Sequence, residues 1–212
     1  MPQPLLNLTD HWHALTAPLG VPEAARAATW RELAAAYDGP GRHYHTLAHV
    51  AALLRRAEAA ALHDPTAVQL AIWFHDAVYE ALRHDNEARS AAWARKFLAA
   101  TNLAAERQER VAFLIERTAD HTQPQPPADA DLLYFLDIDL GILGAPAAEY
   151  AAYAQQVRRE YRLVPDLLYR PGRRKVLHKL LAAPVLYHTP ALRDELDANA
   201  RRNLAAELAE LG

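Results

Sequence analysis

Cysteine is absent from the 212 residues of the chain, and this absence limits the chemistry available to it. It excludes disulfides, thiolate metal ligands and a cysteine nucleophile. Any bound metal would have to be held by nitrogen and oxygen ligands. The chain has many such groups, because it contains 11 histidines and 26 acidic residues.

The sequence also lacks an excess of basic charge and any long apolar run. The formal net charge is −3 and both signs are interspersed, so we expect no nucleic-acid polymer as a partner. No apolar run approaches the roughly 20 residues that cross a bilayer, so we expect no membrane partner. The first residues show no basic segment followed by an apolar stretch, which predicts no signal peptide and a cytoplasmic location.

Strand signals are missing as well, because no stretch alternates apolar and polar residues convincingly and β-branched residues are sparse. Hydrophobic residues make up 51% and charged residues 23%, a globular composition. Helix formers (Ala, Leu, Glu and Arg) dominate nearly every segment. We therefore predict an all-α fold of about nine or ten helices, forming a single compact domain over residues 1–212.

Capping residues predict where several helices begin and end. Pro22 and Gly39 bracket a helix over 21–37, Thr46 caps one running to about residue 62, and Asp64 with Pro65 starts the next. Further helices are predicted near 86–99, 104–119, 129–143, 146–163, 173–182 and 191–211. The proline-rich segment 123–127 is predicted to be a surface loop.

The first stretch with candidate functional residues is 44–49, which reads Y-H-T-L-A-H. His45 and His49 are four residues apart, so a helix that begins early enough places both rings on one face. This spacing suits two metal ligands, or one ligand beside a proton donor. A capped surface turn rich in histidine is the structural alternative.

The second stretch is the pair His75 and Asp76 at the end of an apolar helix. Adjacent helical residues point about 100° apart, so both side chains can face one ion only near a terminus or a distortion. The preceding Ile72, Trp73 and Phe74 are expected to be buried on every side. Burying the pair without a partner would cost several kcal/mol, roughly 2–7 for a neutral polar group and more for an ion. A metal ion would supply that partner.

The third stretch places Asp137 and Asp139 in an otherwise apolar segment. At least one of these carboxylates is expected to face inward, where it needs a cation or hydrogen-bond donors. Because residues two apart lie on different helix faces, the other is expected to be solvated or to cap a helix.

Together these stretches resemble the HD-domain phosphohydrolases, a superfamily that holds one or two divalent ions with an H…HD…D ligand set. Residues 44–49 are similar to the Y-H-N-x-x-H motif of its cyclic-nucleotide phosphodiesterase branch, with threonine in place of asparagine. The resemblance implies that His49 is the first metal ligand and His45 the proton donor to the leaving oxygen. It implies that His75 and Asp76 are the central ligands.

The same resemblance assigns the final metal ligand to Asp139, with Asp137 as the second choice. It extends to a bacterial group of HD proteins marked by W-F-H-D-A-V-Y and N-E-x-R-S-A, which match residues 73–79 and 86–91. The H-D-x-x-H continuation of the phosphodiesterases is missing here. This absence argues against a second ion bound as in those enzymes.

Further residues are candidates for secondary roles. Glu80 is four residues after Asp76 and is expected to orient the attacking water, with a surface acid as the alternative. His121 could bind a phosphate or a second ion, or could face a helix dipole. Arg42, Arg89 and Arg173 are candidates for binding a phosphate through their forked donors.

The expected activity is hydrolysis of a phosphate ester, of a nucleotide or a related small organic phosphate, by metal-activated water. The metal could be Mn, Fe, Co, Ni, Zn or Mg. The alternative is a non-catalytic HD-fold regulatory protein that binds a nucleotide or a metal. A di-iron oxygenase is disfavoured because the chain contains no Glu-x-x-His pair. The sequence leaves a homo-oligomer open.

Overall fold

A computed structural model describes residues 6–212, and all regular structure in that range is helical. This confirms the prediction of an all-α fold. Ten α-helices occur in the described range: α1 Leu8–Thr16, α2 Glu23–Tyr37, α3 Leu47–Glu58, α4 Pro65–Phe74, α5 Asn86–Leu98, α6 Ala105–Arg117, α7 Ala130–Asp139, α8 Ala147–Glu160, α9 Asp166–Ala182 and α10 Pro190–Glu210. Short 3-10 helices lie at Ala17–Leu19 and Leu140–Gly144.

The helix α1 was not predicted from the sequence. Its N-cap is Asn7, whose side-chain oxygen accepts hydrogen bonds from the N–H groups of Thr9 and Asp10. Trp12 of this helix is buried, and its indole N–H donates to the carbonyl of Arg26 at 3.0 Å. Asn7, with an acidic residue in the first turn, is the capping signal that could have indicated this helix.

Helix α9 begins earlier than the sequence suggested. It runs through Pro171, whereas the prediction placed its start at Arg173 because proline and glycine normally interrupt helices. The buried side chains of Tyr169 and Leu177 anchor this helix on both sides of the proline. Tertiary packing therefore outweighs the local cost of the proline, which is about 3 kcal/mol in a helix interior.

The contacts between residues divide the chain into two units. The first ends at Ala119 and the second begins at Asp120. The organisation of residues 1–212 as a single domain stays a prediction. None of the helices over residues 6–212 has both the length and the apolar character that a bilayer crossing requires.

The core of the first unit is an aromatic cluster around the end of α4. Trp73 packs edge-on against Trp12 and Trp30, with ring centroids 5.5 and 5.6 Å apart. The next residue, Phe74, contacts Trp12 and Phe97. The hydroxyl of Tyr37 donates to the carbonyl of Trp73 at 3.0 Å. The cluster thus immobilises the helix end that precedes His75.

The start of α4 is held by its capping residue. The Asp64 side chain accepts the N–H of Ala67 at 3.0 Å. It also accepts two hydrogen bonds from the Arg107 guanidinium of α6, at 2.7 and 2.6 Å. The hydrogen bonds from Arg107 lower the pKa of Asp64. One carboxylate therefore caps α4 and joins it to a neighbouring helix.

In the second unit, a buried ionic network joins α8, α9 and α10. Arg173 donates to both carboxylate oxygens of Glu207 at 2.7 and 2.8 Å, and the Tyr150 hydroxyl donates to the same carboxylate at 2.5 Å. The ion-paired side chains are 8% and 10% exposed. Burial and the adjacent Glu207 raise the pKa of Tyr150. Arg173, a candidate for phosphate binding, thus has a carboxylate partner within its own unit.

Two glycines should respond in opposite directions to substitution by alanine. A Cβ at Gly172, inside α9, would have no heavy atom within 4 Å, whereas a Cβ at Gly144 would lie 2.6 Å from Cβ and 2.8 Å from O of Leu196. We expect Gly172→Ala to raise the free energy of unfolding by about 0.5–1 kcal/mol. Gly144→Ala should lower it by about 1–3 kcal/mol through overpacking. Urea denaturation of both variants measures the two effects, and the same sign in both would contradict this packing.

Substitutions at Asp64 should separate its capping role from its ion pair. Asp64→Ala should cost about 1 kcal/mol or more, whereas Asp64→Asn keeps a capping oxygen and loses the charge. Because the hydrogen bonds from Arg107 lower the pKa of Asp64 in the folded state, its charge stabilises the fold above the ordinary pKa of an aspartate, and this gain is lost as the pH falls through the lowered folded-state pKa. The difference in unfolding free energy between wild type and Asp64→Asn should therefore shrink in acid. A difference independent of pH would exclude the ionic contribution.

Candidate metal centre

The His-Asp pair lies where α4 ends. His75 is the C-cap residue, and its backbone N–H donates to the carbonyl of Ala71 at 2.8 Å. Asp76 follows in the adjoining turn, outside the helix. The helix end removes the angular conflict between adjacent helical residues, so both side chains can point to one place.

His49 comes from the first turn of α3. The helix begins after Thr46, whose hydroxyl accepts the N–H of Ala48 at 3.3 Å. His49 is buried, with 6% of its surface exposed, and His75 is 1% exposed. Imidazoles buried this deeply need polar partners, and these two are directed at one another.

Three ligand atoms converge at this point. The distances from His75 Nε2 are 3.3 Å to His49 Nε2 and 3.1 Å to Asp76 Oδ2, and His49 Nε2 lies 3.8 Å from the same oxygen. Ligand atoms about 2.0–2.1 Å from one ion lie roughly 2.9–3.4 Å apart in octahedral or tetrahedral geometry. The two distances from His75 fall in this range, and the distance between His49 Nε2 and Asp76 Oδ2 is longer. Within the described residues, this group can hold a metal ion.

The protonation of His75 favours a cation at this point. Its Nδ1 lies 2.8 Å from the carbonyl oxygen of Ile72. A carbonyl only accepts hydrogen bonds, so Nδ1 carries the proton and Nε2 of the neutral ring presents a lone pair. That lone pair faces the carboxylate of Asp76 at 3.1 Å. A metal ion or a proton between these two acceptors would remove their repulsion. A hydrogen bond from the far ring nitrogen is the usual way to orient a ligating histidine.

His45 lies beside the three-residue group. Its ring stacks on Tyr79, with centroids 4.2 Å apart and an interplanar angle of 28°. The ring centroids of His45 and His49 are 6.2 Å apart. A neighbouring imidazole outside the ligand group fits a proton donor better than a ligand of the same ion. Its catalytic role stays a prediction.

Arg42 contacts the backbone on both sides of the centre. Its guanidinium donates to the carbonyls of Asp76 and Ala77 at 2.7 and 2.9 Å, and to the carbonyl of His45 at 3.0 Å. The sequence suggested that Arg42 binds a phosphate. Three of its contacts are with carbonyl oxygens of the protein, and a role in binding phosphate stays a prediction.

Two residues of α5 hold the continuation of this loop, and sequence reasoning missed both. Val78 donates its N–H to the Ser90 hydroxyl at 3.0 Å, and that hydroxyl lies 3.3 Å from the Val78 carbonyl. Glu80 and Asn86 exchange two hydrogen bonds, at 3.1 and 3.0 Å. The N-E-x-R-S-A stretch contains Asn86 and Ser90, so its occurrence soon after the His-Asp pair was the available signal.

Glu80 and Arg89 form an ion pair with each other at 2.6 Å. Their side chains are 55% and 42% exposed. The proposed roles of Glu80 in orienting water and of Arg89 in binding phosphate stay predictions. Each role would have to compete with this surface ion pair.

The remaining candidates lie in the second unit, where each has partners of its own. The fully buried Asp137 accepts the N–H groups of His188 and Thr189 at 2.7 Å and the Thr189 hydroxyl at 2.6 Å. Burial raises the pKa of Asp137 despite these donors. Asp139 Oδ2 lies 2.9 Å from His121 Nε2. A fourth metal ligand from Asp139 or Asp137 stays a prediction, as does the role of His121.

Comparison of the chain with protein-family models, curated proteins and solved structures gives no match. Membership of the HD-domain superfamily therefore stays a hypothesis based on motifs.

Removing one ligand should abolish metal binding. We expect Asp76→Ala to lose its bound divalent ion, because the remaining ligands leave the ion undercoordinated and the two imidazoles uncompensated. The matched control is Asp85→Ala, which removes an exposed carboxylate that pairs with Arg83 in the same loop. Elemental analysis of the purified proteins measures the effect. Equal metal content in wild type and Asp76→Ala would contradict the assignment of Asp76.

Proposed function

We propose that the chain is a metal-dependent phosphohydrolase whose centre is formed by His49, His75 and Asp76. The observation that carries the proposal is the convergence of two buried Nε2 atoms and one carboxylate oxygen within 4.8 Å of one another. The lone pair that His75 presents towards Asp76 supports a cation at this point. The motif resemblance to HD-domain phosphohydrolases supplies the reaction class.

The ligand set narrows the choice of metal. Two imidazole nitrogens and one carboxylate suit Mn, Fe, Co, Ni or Zn, whereas Mg prefers oxygen ligands alone. A divalent ion held there would lower the pKa of a coordinated water and neutralise charge on phosphoryl oxygens. Three protein ligands leave room for a water and a substrate oxygen.

His45 supplies the acid in this proposal. The ring centroids of His45 and His49 are 6.2 Å apart, so the His45 imidazole is a neighbour of the ligand group. The imidazolium would donate its proton to the leaving oxygen as the phosphorus–oxygen bond breaks. Stacking against Tyr79 holds the ring in one orientation. The proposed substrate is a nucleotide or another small organic phosphate, by analogy with the resembling superfamily.

A binding protein without turnover is the competing function. It would use the same ligand group and would bind a metal or nucleotide with no role for His45. Incubation of the metal-reconstituted protein with phosphomonoesters, phosphodiesters and nucleoside triphosphates separates the two. Phosphate release that requires metal supports the enzyme. Metal binding without release from any substrate would overturn it.

The His45→Ala variant tests the proton donor. We expect it to retain its metal and to lose roughly 10²–10⁴ in turnover, the usual contribution of a positioned general acid. The loss should be smaller for p-nitrophenyl esters, because p-nitrophenolate leaves without a proton. Steady-state rates with a poor and a good leaving group, together with metal analysis, measure both effects.

The control for this experiment is His84→Ala, which changes an exposed histidine of the loop after Asp76. It should leave turnover and metal content unchanged. An equal loss for both leaving groups in His45→Ala, with lower metal content, would instead make His45 a ligand. Unchanged turnover in that variant would remove His45 from the mechanism.

A further inference from the structure

The Arg42 guanidinium contacts two aromatic rings. Its guanidinium carbon lies 5.0 Å from the ring centroid of Tyr37 and 5.5 Å from that of Tyr79. Tyr37 is itself buried, and its hydroxyl is bonded to the carbonyl of Trp73 in the aromatic core. The guanidinium is therefore attached to the rigid part of the unit through one ring and to the loop after Asp76 through the other.

The donors of Arg42 connect two segments that are distant in sequence. One nitrogen, Nη1, donates to the carbonyls of both His45 and Asp76, and Nη2 donates to the carbonyl of Ala77. The His45 carbonyl belongs to the segment that leads into His49, whereas Asp76 is itself a ligand-bearing residue. A single planar group thus fixes the distance between the backbones that present the two kinds of ligand.

We infer that Arg42 is a positioning residue of the metal centre, which brings the Asp76 carboxylate to the two imidazoles. Beyond the end of α4, the Ala77 N–H donates to the carbonyl of Phe74 at 3.0 Å, and the carbonyls of Asp76 and Ala77 accept from Arg42. The charge-assisted bonds from Arg42 constrain the path of this loop, and such bonds are roughly twice as strong as neutral ones. A lysine cannot reproduce them, because its ammonium lacks the planar fork.

The same residue also orients the proposed acid. The ring of Tyr79 contacts both groups: its centroid lies 5.5 Å from the Arg42 guanidinium carbon and 4.2 Å from the centroid of the His45 ring. The His45 backbone is bonded to Arg42 as well, at 3.0 Å. Arg42 therefore contacts the main chain of His45 directly and its ring through Tyr79.

This inference rests on the proposed metal centre but not on phosphate hydrolysis. Its test is therefore the affinity for a metal, measured with Co²⁺ alone added to the metal-free protein and followed by visible absorption. We expect Arg42→Lys to bind Co²⁺ about 10- to 100-fold more weakly, the usual effect of losing a partner that orients a ligand. The absorption of the bound Co²⁺ should also change, because the Asp76 oxygen is displaced from its position.

The matched control is Arg158→Lys in the second unit. Arg158 also donates to two carbonyls, those of Tyr161 and Val164 at 2.9 and 3.1 Å, and lies 4.5 Å from the ring centroid of Tyr169. Its loss should cost stability in a similar way but leave the Co²⁺ affinity and spectrum of the wild type. If Arg158→Lys weakens Co²⁺ binding as much as Arg42→Lys does, general destabilisation explains both results, and the inference is overturned.

The possible results separate a failure of the role of Arg42 from a failure of the proposed metal centre. If wild type binds no Co²⁺, the metal centre itself is wrong. If wild type binds Co²⁺ and folded Arg42→Lys binds it equally well, Arg42 alone loses its role. Should Arg42→Lys not fold, Tyr79→Leu replaces it, because this change removes one ring from the guanidinium and keeps its donors. We then expect about 2- to 5-fold weaker binding of Co²⁺, and unchanged binding would overturn the inference.

Discussion

The hydrogen bond between His75 Nδ1 and the carbonyl of Ile72 is the constraint on which the candidate centre depends. It exists because α4 ends at Phe74, which leaves the carbonyls of its last turn without helical partners. The imidazole satisfies one of them and is thereby held with Nε2 directed at His49 and Asp76. One helix terminus thus exposes the acceptor, selects the tautomer and frees Asp76 from the helix.

The rest of the first unit keeps this terminus in place. Trp73 and Phe74 are buried in the aromatic cluster, so the last turn of α4 cannot fray without exposing large apolar surfaces. At the other end of the helix, Asp64 both caps the backbone and bonds to Arg107. Contacts at both ends therefore hold α4 in place, and the end that precedes His75 is more buried than the end at Asp64.

The loop after α4 is ordered by side chains instead of regular structure. Arg42 bonds to the carbonyls of Asp76 and Ala77, and residues of α5 bond to those of Val78 and Glu80. Polar backbone groups that are only partly exposed need such partners, and here the partners also set the path of a ligand-bearing segment. In the second unit, Asp137 does the same for the start of α10, where it accepts the N–H groups of His188 and Thr189.

Local sequence determined the helical class, the start of α4 at Asp64 and the His-Asp pair at the end of an apolar helix, because composition, capping and burial act over a few residues. Tertiary structure alone decided the path of α9 through Pro171, since distant packing outweighs a local preference. It also decided the hydrogen-bond partners of Arg42, which include a carbonyl 35 positions away. A forked cation looks the same in sequence whether it binds a phosphate or a backbone. Only the folded chain brings the acceptors to it.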